Sequence, residues 1–367
     1  MYNLCDIINE ENGGKEYMKQ IQFWGTETQL DRLARLGDPL IKINELIRWE
    51  MFREIIEGAI RKDASKGGRP PYDAILMFKI TMLQQWYGLS DAGVEFQIVD
   101  RYSFMRFLGL EAGERIPDGN TIWDFKEVLK EKGVDRKLFE LFNTMLVEKG
   151  IITRKGTIID ATFVTVPKRH TTKRDNEHLK AGEELEDLPA KCLERLENKE
   201  IKAIDNVITQ MDLDARWTKK GNDSFFGYKD HVKCDSDSKI ITDFSVTDAS
   251  VHDSKEFVRL IDEKDKDVKL DSGYVGEDFQ EELSKKFPDL QIHVCARAYR
   301  NKPLTEEDKS SNKEISRTRV RIEHIFGYMT RFMAGITSRV HGIERVTRDV
   351  TSKNLAYNIK RYVCVAG

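Results

Sequence analysis

Three acidic residues stand in local contexts that together suit one metal-binding catalytic centre. Asp160 ends the apolar run Thr157-Ile158-Ile159, Asp271 follows Val268-Lys269-Leu270, and Glu323 lies on the basic stretch Arg317 to Phe326. An acid at the end of a buried strand is costly unless something cationic satisfies it. Three carboxylates forced together repel one another, and divalent cations relieve that repulsion. Oxygen ligands without clustered Cys or His suit magnesium or manganese rather than zinc. Two such ions can activate a water or a 3′-hydroxyl and steady the leaving oxygen of an in-line phosphodiester attack. On this reading Asp160 bridges two Mg2+ (or Mn2+) ions, and Asp271 and Glu323 each complete one shell. Each acid also has an ordinary reading. Asp160 could cap a strand, Asp271 could open a turn, and Glu323 could pair with Arg319 at i,i+4.

The elements around these acids must bring them together. Thr157–Val164, Phe225–Lys233, Ile240–Val246, Val268–Asp271 and Gln291–Cys295 read as strands. The turn Asp235-Ser-Asp-Ser238 makes a hairpin of the second and third. Helices are expected over His252–Glu263, Glu277–Lys286 and about 314–333. That order predicts a mixed five-stranded sheet flanked by helices. The first strand and the strand after the first helix can then lie side by side, and the last long helix can deliver Glu323. Residues 1–66 read as a helical lead segment, with helices near 28–36 and 42–61. After the break Lys66-Gly-Gly-Arg-Pro-Pro71, residues 67–150 read as an all-α N-terminal domain. Its expected helices are Tyr72–Tyr87, one capped by Ser90, a short one carrying Phe104, Phe107 and Leu108, and Thr121–Lys132. Such a cluster is either a DNA-contacting helix-turn-helix arrangement or a plain bundle. Residues 151–340 form the sheet domain, with a charged, partly helical insertion at about 168–224, and 341–367 form a basic tail.

Charge is balanced overall at net −3 in 367 residues, which argues against a uniformly basic DNA-coating protein. Locally it is segregated. From Ile315 onward ten Lys/Arg face three Asp/Glu, whereas Asp175–Asp214 holds five against twelve. Five scattered cysteines without Cys-x-x-Cys spacing fit reduced thiols. No apolar stretch has membrane-spanning length, so the expectation is a soluble, cytoplasmic chain with no membrane partner.

Several residues are candidates for holding a phosphate backbone. Arg317, Arg319 and Arg321 alternate by two, and Arg319 shares a helical face with Glu323. Arg216, Trp217, Lys219 and Lys220 combine bases with an aromatic that either stacks on an unpaired base or plugs the core. Lys229 and His231 are expected on one face of the second strand, near Asp160. His252 and Asp253 can cap the following helix, and the tail bases are either a solvated face or a DNA-tracking surface.

The blocks Ile158-Ile-Asp-Ala-Thr162, Asp214-Ala-Arg-Trp-Thr218, Phe226-Gly-Tyr-Lys229, Val251-His-Asp253, Asp271-Ser-Gly-Tyr274 and Arg321-Ile-Glu-His-Ile-Phe326 resemble the DDE transposases of bacterial insertion sequences. The insertion-sequence-five family matches best. Gly68-Arg-Pro-Pro71 through Phe125 resembles that family's N-terminal domain, and the likeness covers about residues 25–345. It implies a ribonuclease-H-like catalytic domain, cleavage of double-stranded DNA at terminal inverted repeats, strand transfer into target DNA, and a homodimer on DNA. Arg319 fits the family's arginine four residues before the glutamate, while Ser316 and Thr330 stand where relatives carry tyrosine and lysine. The rival expectations are a ribonuclease-H-like nuclease or resolvase without strand transfer, and a DNA-binding regulator that no longer cuts.

Overall fold

The computed structural model describes residues 25–61, 70–111, 113–166, 212–270, 285–298 and 303–367. Two units are distinguished, Met1–Asp38 and Pro39–Gly367. The first contributes one described helix, α1 (Gly25–Arg35).

The second unit begins with short helices whose ends are written in their capping residues. These are α2 (Pro39–Leu46), α3 (Arg53–Ile60), α4 (Ala74–Tyr87), α5 (Asp91–Asp100), α6 (Tyr102–Leu108), α7 (Gly119–Glu131) and α8 (Val134–Glu148). Asp73 accepts the amides of Ile75 and Leu76 at 2.9 Å and starts α4. Gly88 ends it at φ +63°, and a Cβ there would lie 2.1 Å from that of Ala334. Only glycine supplies both the left-handed turn and that close approach. Ser90 caps α5, as its sequence position suggested. The expected helix over 42–61 is interrupted by Ile47–Phe52, where Trp49 and Phe52 turn into the core.

The sheet has six strands rather than five. They are β1 (Thr157–Thr165), β2 (Arg216–Lys220), β3 (Asp223–Asp235), β4 (Ile241–Asp248), β5 (Asp267–Leu270) and β6 (Gln291–Val294). The order runs β2-β3-β1-β5-β6, with β4 also paired to β3. β3 is antiparallel to β1, β2 and β4, while β1, β5 and β6 run parallel. The added strand β2 falls inside what read as insertion. The expected helices of that insertion and of Glu277–Lys286 fall mostly outside the described residues. Gly227 explains the glycine of the Phe-Gly-Tyr-Lys block: a Cβ there would sit 2.3 Å from the Val164 carbonyl oxygen on β1.

Three helices complete the unit: α9 (Asp253–Leu260), α10 (Glu306–Phe332) and α11 (Ile343–Ala366). α10 starts eight residues earlier than expected, at a capping box formed by Thr305 and Asp308. α11 corrects the reading of 341–367 as a basic tail. Twelve of its 24 residues are buried. Trp86 Nε1 donates to the Ala356 carbonyl at 2.9 Å. Asn358, fully buried, donates to Asn143 Oδ1 and the Ile241 carbonyl and accepts the Ile241 amide. It thereby satisfies backbone at the edge of β4, where an open strand would otherwise be exposed. Two of the tail cations are neutralised within the chain: Arg345 and Arg348 both bond Glu127. Burial opposes ionisation of Glu127, but Arg345 and Lys130 hold its carboxyl down to about 2. Helices α2–α8, α11 and one face of the sheet share a single apolar core, so 67–150 and 151–340 are not separate domains. A smaller cluster of Ile159, Phe257, Leu260, Ile261, Val268 and Leu270 fills the other face. Among the described residues no helix is long and apolar enough to cross a membrane.

Candidate catalytic centre

Asp160 sits inside β1 rather than at its end, the fourth residue of nine. Directly paired residues of an antiparallel ladder share a face. Asp160 pairs with Val232, so it projects to the face that carries Ile158 and Cys234 and is covered by α10 and α11. Its Oδ1 accepts the Ala161 amide at 2.8 Å, which fixes the plane of the carboxylate. Its Oδ2 meets Arg319 Nη2 of α10 at 3.4 Å, with the arginine side chain only 12% exposed. The phosphate-holding arginine of the sequence reading is thus beside the first acid. α10 reaches that point because Ile315, Ile322, Ile325 and Met329 bury one stripe of the helix.

Glu323 follows Arg319 by one helical turn and is exposed. Arg317 is exposed as well. Arg321 turns elsewhere, bonding the Ser236 carbonyl and Asp237 Oδ1. The alternating arginines therefore split between the Asp160 side and the β3–β4 turn. Asp271 lies outside the described residues. β5, which ends one residue before it, pairs in parallel with β1 through Thr157↔Val268 and Ile158↔Lys269. Among the described residues no group of three His, Cys, Asp or Glu is arranged to hold a metal.

Lys229 and His231 are not neighbours of Asp160. They pair with Phe163 and Ala161, one residue out of phase, and so project to the opposite face. Both are buried. Lys229 Nζ bonds the Val251 carbonyl at 2.8 Å and Asp253 Oδ1 at 2.9 Å, and His231 Nε2 contacts Thr247 Oγ1 at 2.9 Å. Burial pushes the imidazole down to about 4, against the pull of Asp253 and Glu256, so it is neutral at physiological pH. Neither side chain can meet a DNA backbone from there. His252 caps α9 through Nδ1.

Arg216, Trp217, Lys219 and Lys220 lie on strand β2. Arg216 bonds the Leu213 and Ala215 carbonyls. Trp217 packs on the main core, its ring 5.2 Å from that of Phe226. This supports the plug over the base-stacking platform. Lys219 and Lys220 remain exposed, with Lys220 Nζ 5.9 Å from the Phe163 ring.

Residues 152–359 match the family model described as Transposase DDE domain, and residues 28–128 match Transposase domain (DUF772). The chain belongs to the DDE transposase family. A cryo-EM structure of a piggyBac transposase synaptic complex with hairpin DNA also resembles it, at 11% identity and a TM-score of 0.45, covering 87% of this chain and 74% of that chain. Among the buried acids of the transposase that the sequence reading passed over, one lies on the Asp160 face of the sheet. Asp230 on β3 faces the same side as Asp160 and is 1% exposed. Burial pushes its carboxyl up to about 7, with only the Asn354 amide, at 3.1 Å, acting against that. The signal was available: Asn354 and Asn358, four apart and flanked by the apolar positions Leu355, Ala356 and Ile359, mark polar partners awaiting them in the core.

Proposed function

We propose that this transposase cuts DNA at the ends of its element and joins the freed 3′-hydroxyls to target DNA, using Asp160, Asp271 and Glu323 as carboxylate ligands for two magnesium or manganese ions. The observation that carries the reading is the meeting of β1 and α10, with Arg319 against Asp160 and Glu323 one turn further on. The β1–β5 register supports it. β5 ends one residue before Asp271 in the sequence, and its Lys269 pairs with Ile158, two residues before Asp160 on β1. The order β4-β3-β1-β5-β6, antiparallel then parallel, supports a ribonuclease-H-like five-stranded core to which β2 is an addition. The block resemblance supports membership of the insertion-sequence-five family.

The residues fit hard divalent ions. The donors are carboxylates without a thiolate, and Asp160 Oδ2 already gathers a cationic group at 3.4 Å. When bound, such ions supply an activated water or 3′-hydroxyl and a stabilised leaving oxygen. The protein's own part is to hold and orient. The Ala161 amide fixes the Asp160 plane. Arg319 is suited to grip a phosphate beside it, and Arg317, Lys219 and Lys220 offer exposed charge to the flanking duplex. Cutting two ends together calls for a homodimer on double-stranded DNA, in the cytoplasm.

Pre-cut element ends mixed with supercoiled target and Mg2+ separate this reading from that of a purely hydrolytic nuclease. Covalently joined products are expected. Hydrolysis of the target without joining would favour the nuclease.

A further inference from the structure

The turn between β3 and β4 gathers basic side chains that the catalytic reading does not use. Arg321 and His324 reach it from α10, Arg361 reaches it from α11, and Lys239 stands in the turn itself. Lys239 Nζ contacts His324 Nδ1 at 3.0 Å, and Arg361 Nε donates to the Ser238 carbonyl at 2.6 Å. The partner of Arg361 is a backbone carbonyl and carries no charge. Among the described residues the turn's one ion pair is Arg321 with Asp237, at 3.2 Å. Burial lowers the proton affinity of Lys239, and Arg361 and Arg321 lower it further, as expected of like charges held close together.

The turn is stiff. Asp235 exchanges backbone bonds with Lys239 and Ile240, and its Oδ2 accepts both the amide and the hydroxyl of Ser238 at 2.8 Å. Tyr357 Oη donates to the Lys239 carbonyl at 3.0 Å. Lys239 is held at φ +60°, a left-handed conformation that side-chain-bearing residues adopt only under constraint. A strained, immobilised lysine among like charges is arranged for a ligand that brings negative charge to all of them.

We propose that this turn, with Lys239, Arg361, Arg321 and His324, is an anchor for the phosphate backbone of duplex DNA next to the catalytic acids. The proposal rests on the DNA-processing reading above. Thr157 pairs with Asp235, three residues from Asp160 along β1, or about 10 Å. That span is about three steps of duplex rise at roughly 3.4 Å each. A strand seated at Asp160 therefore presents its backbone to the turn a few nucleotides away.

Fluorescence anisotropy of the full chain with a labelled duplex, without divalent ions and over a salt series, tests this. Lys239→Asn removes the charge but tolerates the left-handed backbone, and Lys239→Gly does so with no strain. Arg361→Gln keeps a donor for the Ser238 carbonyl. Each variant should bind several-fold more weakly, with the slope of log affinity against log salt reduced by about 0.9, and the double variant by about 1.8. Thermal midpoints should stay at the parent value. A double variant with the parent's affinity and slope overturns the anchor, as does weaker binding at an unchanged slope. Inorganic phosphate competing as well as unlabelled duplex also overturns it, since the site would then take a free anion. A parent that binds no duplex overturns the DNA-processing reading as well, so the two failures are distinguishable.

Discussion

On one face of the β1–β3–β4 sheet, Lys233 is buried against the Leu260 carbonyl, Asp262 and Asp265, and Asp265 in turn accepts the Thr157 hydroxyl. Lys229, Asp253, His231 and Thr247 continue the same closed network toward α9. On the other face, Asp230 has an amide for a partner and, among the described residues, no cation. Its Oδ1 and the Oδ1 of Asn354 are both buried without a hydrogen bond among the described residues. Asp160, further along that face, meets Arg319 across 3.4 Å on a helix whose next turn exposes Glu323. A face whose charges are fully matched is a scaffold. A face that keeps a buried acid such as Asp230 incompletely paired, at a cost in stability, is the one to which we assign the proposed site.

The contrast can be broken from the scaffold side first. Lys233→Met strands Asp265, whose side chain is 5% exposed, as a buried charge without a cation. Loss of about 3–5 kcal/mol of unfolding free energy is expected in denaturant titrations at neutral pH. A loss below 1 kcal/mol would mean that the network is incidental.

Asp230→Asn acts in the opposite direction. The native carboxyl is raised to about 7 from an ordinary 3.8, so the folded state prefers it protonated. The resulting stability is fully present below pH 3.8 and is lost as pH rises through about 7. The amide introduced can donate to Asn354 Oδ1 and does not ionise. Stability should therefore rise by about 2 kcal/mol at pH 8 and change little at pH 4. Some pH dependence should persist, because burial also raises Asp135 to about 7. Melting curves at the two pH values check both statements, and equal shifts at both would remove Asp230 from the account.

The smallest expected effect on the fold is at the exposed edge. Lys219→Ala with Lys220→Ala should leave the thermal midpoint nearly unchanged, within about 0.5 kcal/mol, yet weaken duplex binding and flatten its salt dependence. Unaltered binding would confine DNA contact to the α10 side of the sheet.

Much of this contrast was legible in the chain, but its parity was not. Alternation correctly put Lys229 and His231 on one face of a strand. Which face depended on register, and a shift of one residue exchanges core for site. The β3–β4 hairpin and the pairing of β1 with β5 followed from element order and turn chemistry. β2 escaped because Arg216–Lys220 lacks apolar alternation, and its strand exists only through pairing with β3. α11 was misread because its cations are conspicuous in sequence, whereas Glu127, which neutralises two of them, lies more than 200 positions away. The start of α10 was missed although Thr305 and Asp308 spell a capping box. The spacing of Arg319 and Glu323 on one helix face did survive into three dimensions, because a helical period needs no tertiary information.

Cleavage of a supercoiled plasmid carrying the element's ends, with Mg2+ present, bears most directly on the working face. Asp160→Asn, Asp271→Asn and Glu323→Gln should each abolish cutting while end binding is largely retained. Parent-level cutting by any one of them would contradict the assignment of that carboxylate, and with it the shared site.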